Sequence, residues 1–177
     1  MYNVLNKKAT ASFNIDSYNR RAVAEKDLEN GAVFTLTTYS TTDGEGEVWT
    51  AGATTATSKG LWMAASPEVV IVKDEMGNEY KGLTQDPRAF VNIAGRVIDA
   101  FYLNMGDIVE MTGANITGIG STANVYLVPG TDNQLVATAT AGTGCVLRKV
   151  KTSTLNIGVG TLGKATIPTY VFVVENN

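Results

Sequence analysis

From residue 32 to residue 175 the chain is a succession of short apolar, β-branched and aromatic runs, each closed by Gly, Pro, Asn or Asp. They recur about every ten residues, which suits a sandwich or barrel of strands and not βαβ units. The clearest instance is 95–112. Residues 97–103 read as a strand buried on both faces. Residues 108–112 read as a strand near a surface, because Ile108, Glu110 and Thr112 alternate with Val109 and Met111. Between them, Asn104-Met105-Gly106-Asp107 carries turn chemistry, since Gly reaches positive φ freely and Asp hydrogen-bonds nearby backbone. The pattern predicts a central hairpin that the other strands cover.

Further strands are expected at 32–39, 47–50, 60–65 and 68–73, with a hairpin turn at 76–79. A second hairpin is expected from 124–128 and 134–140, then strands at 145–150, 153–157 and 166–175. Pro168 suits an edge or a strand start. Residues 1–30 differ. Asn, Lys and Arg are interspersed with single apolar residues such as Val4, Leu5, Phe13, Ile15 and Tyr18, as in an arm that a partner orders. One or two helical turns are expected at 21–29, closed by Asn30-Gly31. The architecture expected is therefore mainly β: an extended arm at 1–30, a β-barrel or β-sandwich at 31–120, and a smaller C-terminal β region at 121–177.

The side chains present restrict the chemistry. The 177 residues contain no histidine, which removes the commonest general base and the Ser-His and Cys-His nucleophile pairs. A single cysteine, Cys145, allows neither an internal disulfide nor a Cys cluster for zinc, and without a His to activate it a core thiol is expected. A net charge of −3 gives no footprint for nucleic acid. No run approaches the roughly 20 apolar residues of a membrane helix. The N-terminal residues lack a signal-peptide pattern, so synthesis in the cytoplasm without membrane contact is expected.

Several motifs match known chemistry only in part. Gly158-Val-Gly-Thr-Leu-Gly163-Lys164 fits dinucleotide- and phosphate-loop patterns, but Ala165 stands where a magnesium-binding hydroxyl belongs and the residues that follow read as strand. A glycine-rich hairpin turn is expected there instead. Asp43, Glu45 and Glu47 lack the spacing of a calcium loop and read as a solvated turn. Asp99, Asp107 and Glu110 do not obviously converge into the acid pair that glycoside hydrolysis requires. Asn115-Ile-Thr117 is a glycosylation sequon only in a secreted eukaryotic protein. Trp49, Trp62, Tyr39 and Tyr80 fit sheet packing, with a sugar-stacking platform as the rival reading. No catalytic residue, metal ligand or cofactor site is expected.

The run from Phe13 to Gly31 (Phe-Asn-Ile-Asp-Ser-Tyr-Asn-Arg-Arg-Ala-Val-Ala-Glu-Lys-Asp-Leu-Glu-Asn-Gly) resembles the opening of head decoration proteins of tailed bacteriophages. These auxiliary or cement proteins sit on the outside of the capsid. The run from Asp86 to Gly95 (Asp-Pro-Arg-Ala-Phe-Val-Asn-Ile-Ala-Gly), followed by Gly106-Asp107, is similar to them as well; the resemblance ends before Ser121. It implies a β-rich, non-enzymatic virion protein, made in the host cytoplasm, that binds the major capsid protein of the assembled shell and stabilises it. It further implies self-association on the capsid, as a trimer for example, and contact through the N-terminal segment. Phe13, Ile15, Tyr18, Arg20 and Arg21 are the contact residues expected, with the arginines pairing to carboxylates of the neighbour. Two alternatives stand beside this reading: a carbohydrate-binding or host-attachment β module, and a tail or interior virion component.

Overall fold

The computed structural model describes residues 1–40, 47–73, 76, 78–83, 86–157 and 165–177. The first part of the chain supplies β1 (Leu5–Ala9), β2 (Asn19–Val23), β3 (Val33–Ser40), β4 (Val48–Gly52), β5 (Trp62–Ala64), β6 (Val69–Lys73), β7 (Glu79–Leu83) and β8 (Val97–Tyr102). The second supplies β9 (Ile108–Met111), β10 (Ile116–Thr117), β11 (Tyr126–Pro129), β12 (Leu135–Thr138), β13 (Val146–Ile157) and β14 (Ala165–Asn176). Strands β2-β4-β3-β5-β8 close into a barrel, and β1-β9-β14-β13-β11-β12-β10 form a seven-stranded sheet. Among the described residues, strands β6 and β7 pair only with each other. The protein is thus mainly β and contains a barrel, as its strand rhythm predicts.

Two cores hold these layers. Ala22, Ala24, Leu28, Ala32, Phe34, Ala64, Ile98 and Ala100 form one cluster, drawn largely from the barrel strands. A five-stranded barrel encloses little space, which is why alanines dominate and one phenylalanine suffices. Val33, Met63 and Phe101 belong to a second cluster with Val109, Met111, Leu127, Leu147 and Phe172 of the seven-stranded sheet. Val33 and Phe34, adjacent on β3, are each fully buried but in different clusters. Side chains alternate across a strand, so a barrel stave covered from outside reads as a continuous apolar run. Residues 97–103 follow the same rule only in part: Ile98 and Ala100 enter the first cluster and Phe101 and Leu103 the second, but Val97 and Asp99 remain exposed.

The central hairpin is not formed, although both of its strands are. β8 pairs with β2 and β5 in the barrel, whereas β9 pairs with β1 and β14 in the sheet. Residues 104–107 carry the chain from one layer to the other. Gly106 has φ +91°, and Asp107, 4% exposed, accepts the Asn104 amide through Oδ2 at 3.0 Å and the Ala11 amide through Oδ1 at 2.9 Å. Nor is β9 a strand near a surface: Val109, Glu110, Met111 and Thr112 are all buried, because β1 and β14 flank it and Lys8 and Thr169 satisfy Glu110.

Residues 1–30 are not a detached arm. β1 lies along β9 with Leu5 opposite Met111, and β2 is a barrel stave between β4 and β8. The asparagines that give this segment its polar character are partly internal. Asn3, 3% exposed, donates to the Asn30 carbonyl at 2.9 Å and accepts from Thr112 Oγ1 and the Gly113 amide, both at 3.0 Å. They satisfy backbone where the chain enters the fold, a task that buried polar groups must perform. The helical turns expected at 21–29 are replaced by β2 and a bridge between Leu28 and Asn92. Gly31 (φ +88°) does make the tight turn expected of Asn30-Gly31, packed against Asn3 and Met111.

The C-terminal strands β11 to β14 are continuous with β9 and β1 in one sheet and share its core, so they do not stand apart as a separate layer. The 124–140 hairpin forms as expected, with β11 and β12 antiparallel and Asp132 and Asn133 at positive φ in its turn. Asn133 Nδ2 ties that turn to the barrel through the carbonyls of Val33 at 3.0 Å and Gly52 at 2.8 Å. Pro168 lies on β14 beyond Tyr170–Val173, the stretch paired with β9, so its missing N–H interrupts no ladder there. The glycine-rich stretch 158–164, the acidic residues Asp43 and Glu45, and Gly77 of the expected 76–79 turn lie outside the described residues.

A candidate binding face

Between β1 and β2 the chain makes two 3₁₀ turns, Ala11–Phe13 and Asp16–Tyr18. Their backbone is held from within. Thr10 and Ser12 are buried and share a hydroxyl hydrogen bond of 2.9 Å, Asn19 Nδ2 donates to the Ser12 carbonyl at 2.8 Å, and Asp107 holds Ala11. The apolar side chains nevertheless point outward, with Phe13 57% and Ile15 42% exposed. Exposed apolar groups on a segment whose backbone is pinned make this a candidate contact surface.

The five residues singled out in the sequence gather around this segment. Tyr18 stacks on Tyr102 at 5.8 Å between centroids, and Tyr102 meets Trp62 edge-on at 5.4 Å. The Arg20 guanidinium lies 6.0 Å from the Trp62 ring centroid and 4.0 Å from Glu47. Arg21 lies 3.8 Å from Asp99, with both partners more than half exposed. Ion pairs this long and this wet contribute about 0–1 kcal/mol each, so both arginines exchange partners at little cost.

Sequence reasoning missed the ground these residues stand on. Lys7, Arg20, Arg21, Glu47 and Asp99 line a depression of about 410 Å³. Lys7 and Phe13 line a second, of about 350 Å³, with Pro67 and Glu68. A third, of about 440 Å³, is walled by Val69, Phe90, Ile93 and Val97. The first two share Lys7 and Ala65, and the last two share Ser66 and Pro67. The three therefore run together along residues 65–67. Asn30 positions that stretch by donating to the Ser66 carbonyl at 2.9 Å and accepting its amide at 3.0 Å. The one signal in the sequence was Lys7 itself, which shares a strand face with half-buried Leu5.

The remaining candidates are engaged elsewhere. Glu110, 6% exposed, is met by Lys8 Nζ at 2.7 Å and accepts the Thr169 hydroxyl at 2.5 Å. Burial pushes its carboxyl up, but Lys8, Thr169 and Ser153 outweigh this and hold it below the usual glutamate range. Asp107 is committed to two backbone amides. Cys145 is fully buried, and that burial pushes its thiol up to about 12, which suits a core residue. Tyr39 and Trp49 meet edge-on at 5.4 Å across β3 and β4, apart from the Trp62–Tyr102–Tyr18 group, and the Tyr80 side chain lies outside the described residues.

Comparison with known proteins gives no match to a family model, a curated protein or a solved structure. Fold and surface define a class only: a mainly β protein with a two-layer body and one extended, mixed apolar and charged face.

Proposed function

We propose that this chain is a non-enzymatic virion structural protein that binds the outside of an assembled capsid, through the major capsid protein, and stabilises the shell. The observation that carries the docking part is the outward display of Phe13 and Ile15 on a segment whose own polar groups are satisfied internally. Contact residues of this kind cost little ordering entropy when a partner covers them, because their backbone is already fixed. The choice of a capsid as partner is supported by the resemblance of residues 13–31 and 86–95 to phage head decoration proteins. A shell presents many copies of one site, so modest affinity per copy suffices, and self-association between neighbours adds to it.

The test is co-sedimentation with capsid shells that lack the protein. Wild type is expected to pellet with the shells, and Phe13→Ser/Ile15→Ser is expected to remain in the supernatant while keeping its thermal transition. Equal pelleting of both proteins contradicts the assignment of the contact residues. Failure of wild type to pellet contradicts the function. Antibody labelling of intact particles separates an exterior site from an interior or tail component.

A further inference from the structure

We infer that Lys7, set between two aromatic rings where two surface depressions meet, anchors a carboxylate-binding site that takes one Asp or Glu side chain from a partner protein. The inference rests on the docking role proposed for this face and names the group that the face recognises. Lys7 Nζ lies 4.9 Å from the Phe13 ring centroid and 5.2 Å from that of Phe101. Among the described residues it has no ion-pair or hydrogen-bond partner, whereas Lys8 is paired with Glu110 and Lys26 with Asp132. Of the carboxylates lining the two depressions, Asp99 lies 3.8 Å from Arg21, Glu47 lies 4.0 Å from Arg20, and Glu68 lines the second.

Local charge selects the ligand. Lys7, Arg20 and Arg21 against Glu47 and Asp99 leave an excess of one positive charge around the first depression, whereas Lys7 shares the second with Glu68, so the ligand's carboxylate is placed in the first. A carboxylate cancels that excess, whereas a phosphate dianion leaves a half-buried site negative. The two rings hold the ammonium through their negative faces and shield it from water. Burial accordingly pushes Lys7 below the ordinary lysine range, and the charge of Asp99 only partly opposes this. A carboxylate in contact supplies the compensation that is missing. Ala65, which lines both depressions, gives its methylene stem an apolar wall.

The site is read directly on protein whose lysines carry ¹³C-dimethyl labels. The blocked peptide Ac-Gly-Glu-Gly-NH₂ is titrated against Ac-Gly-Gln-Gly-NH₂ and against inorganic phosphate. The Lys7 resonance is expected to shift saturably with the Glu peptide while Lys8 stays still. The response to the Gln peptide is expected to be roughly fivefold weaker, the scale of one partly exposed ion pair. Asp99→Asn, which removes a competing anion, is expected to tighten the Glu peptide, and Lys7→Met to abolish the response. An unmoved Lys7 signal, equal responses to Glu and Gln, or tighter binding of phosphate overturns the site. Shell co-sedimentation is run on the same proteins. Full shell binding by Lys7→Met overturns the anchoring role. A Lys7 response to the Glu peptide in a protein that binds no shell retains the site and removes only the capsid as partner.

Discussion

Lys8 Nζ lies 2.7 Å from Glu110 Oε2, joining edge strand β1 to β9 through a cation 46% exposed and an anion 7% exposed. The folded carboxyl sits below its ordinary range, so its contribution is present above the unfolded glutamate value of about 4.3 and lost as pH falls through the folded value. Glu29 and Glu68 run the other way. Burial, their largest influence, pushes both up, so these two favour the folded state increasingly as pH falls. Glu110→Gln is expected to lower stability at neutral pH by about 1.5–3 kcal/mol, the scale of a hydrogen-bonded charge. That deficit is expected to shrink as pH falls through the folded value. Urea melts of both proteins across pH 3–7 check this, and a deficit that stays constant with pH contradicts it.

Asp107 accepts one amide with each carboxylate oxygen. An asparagine in its place offers one acceptor, so Asp107→Asn keeps one bond and Asp107→Ala neither. Unsatisfied buried donors cost about 1–3 kcal/mol each. The expected order of stability is wild type, then Asn, then Ala, measured by denaturant midpoint. Equal losses for the two variants contradict the two-amide role.

The barrel lumen sets a volume limit. Ala22 is fully buried on β2, in a cluster made largely of alanines around Phe34. Ala22→Leu overfills it and is expected to cost about 1–3 kcal/mol or more. Phe34→Ala empties it at about 3–5 kcal/mol. Thermal melts read both. Deleting residues 1–30, which a detached arm would tolerate, removes a barrel stave and a sheet edge and is expected to abolish the cooperative transition.

Cys145 is fully buried, with its thiol pushed up to about 12. It is expected to ignore a disulfide reagent in the native protein and to react fully in denaturant. Rapid native reaction contradicts its place in the core.

These residues also show how far the sequence could be read. The apolar run 97–103 and the alternation in 108–112 located β8 and β9, but Val97 and Asp99 are exposed on the first while Glu110 and Thr112 are buried on the second, because packing against other strands decides burial. Their partners were not legible, since β9 finds β1 and β14 in distant parts of the chain and period two is blind to that choice. The polarity of 1–30 misled for a related reason: Asn3 and Asn30 look solvated in sequence, but each satisfies backbone groups contributed by distant segments. Phe13, Arg20 and Arg21 were named from the sequence as contact residues. Lys7 was not, because its rings and depressions exist only once the fold sets β1 so that Lys7 meets Phe101 of β8.

The central claim is that the face bearing Phe13, Ile15 and Lys7 meets a capsid. An electron cryo-microscopy reconstruction of shells incubated with the protein reads this in one step. The account expects added density on the outer surface, with the Ala11–Phe13 turn and the Lys7 depression against the shell. Shells that gain no density, or density that seats the opposite side of the molecule, contradict it.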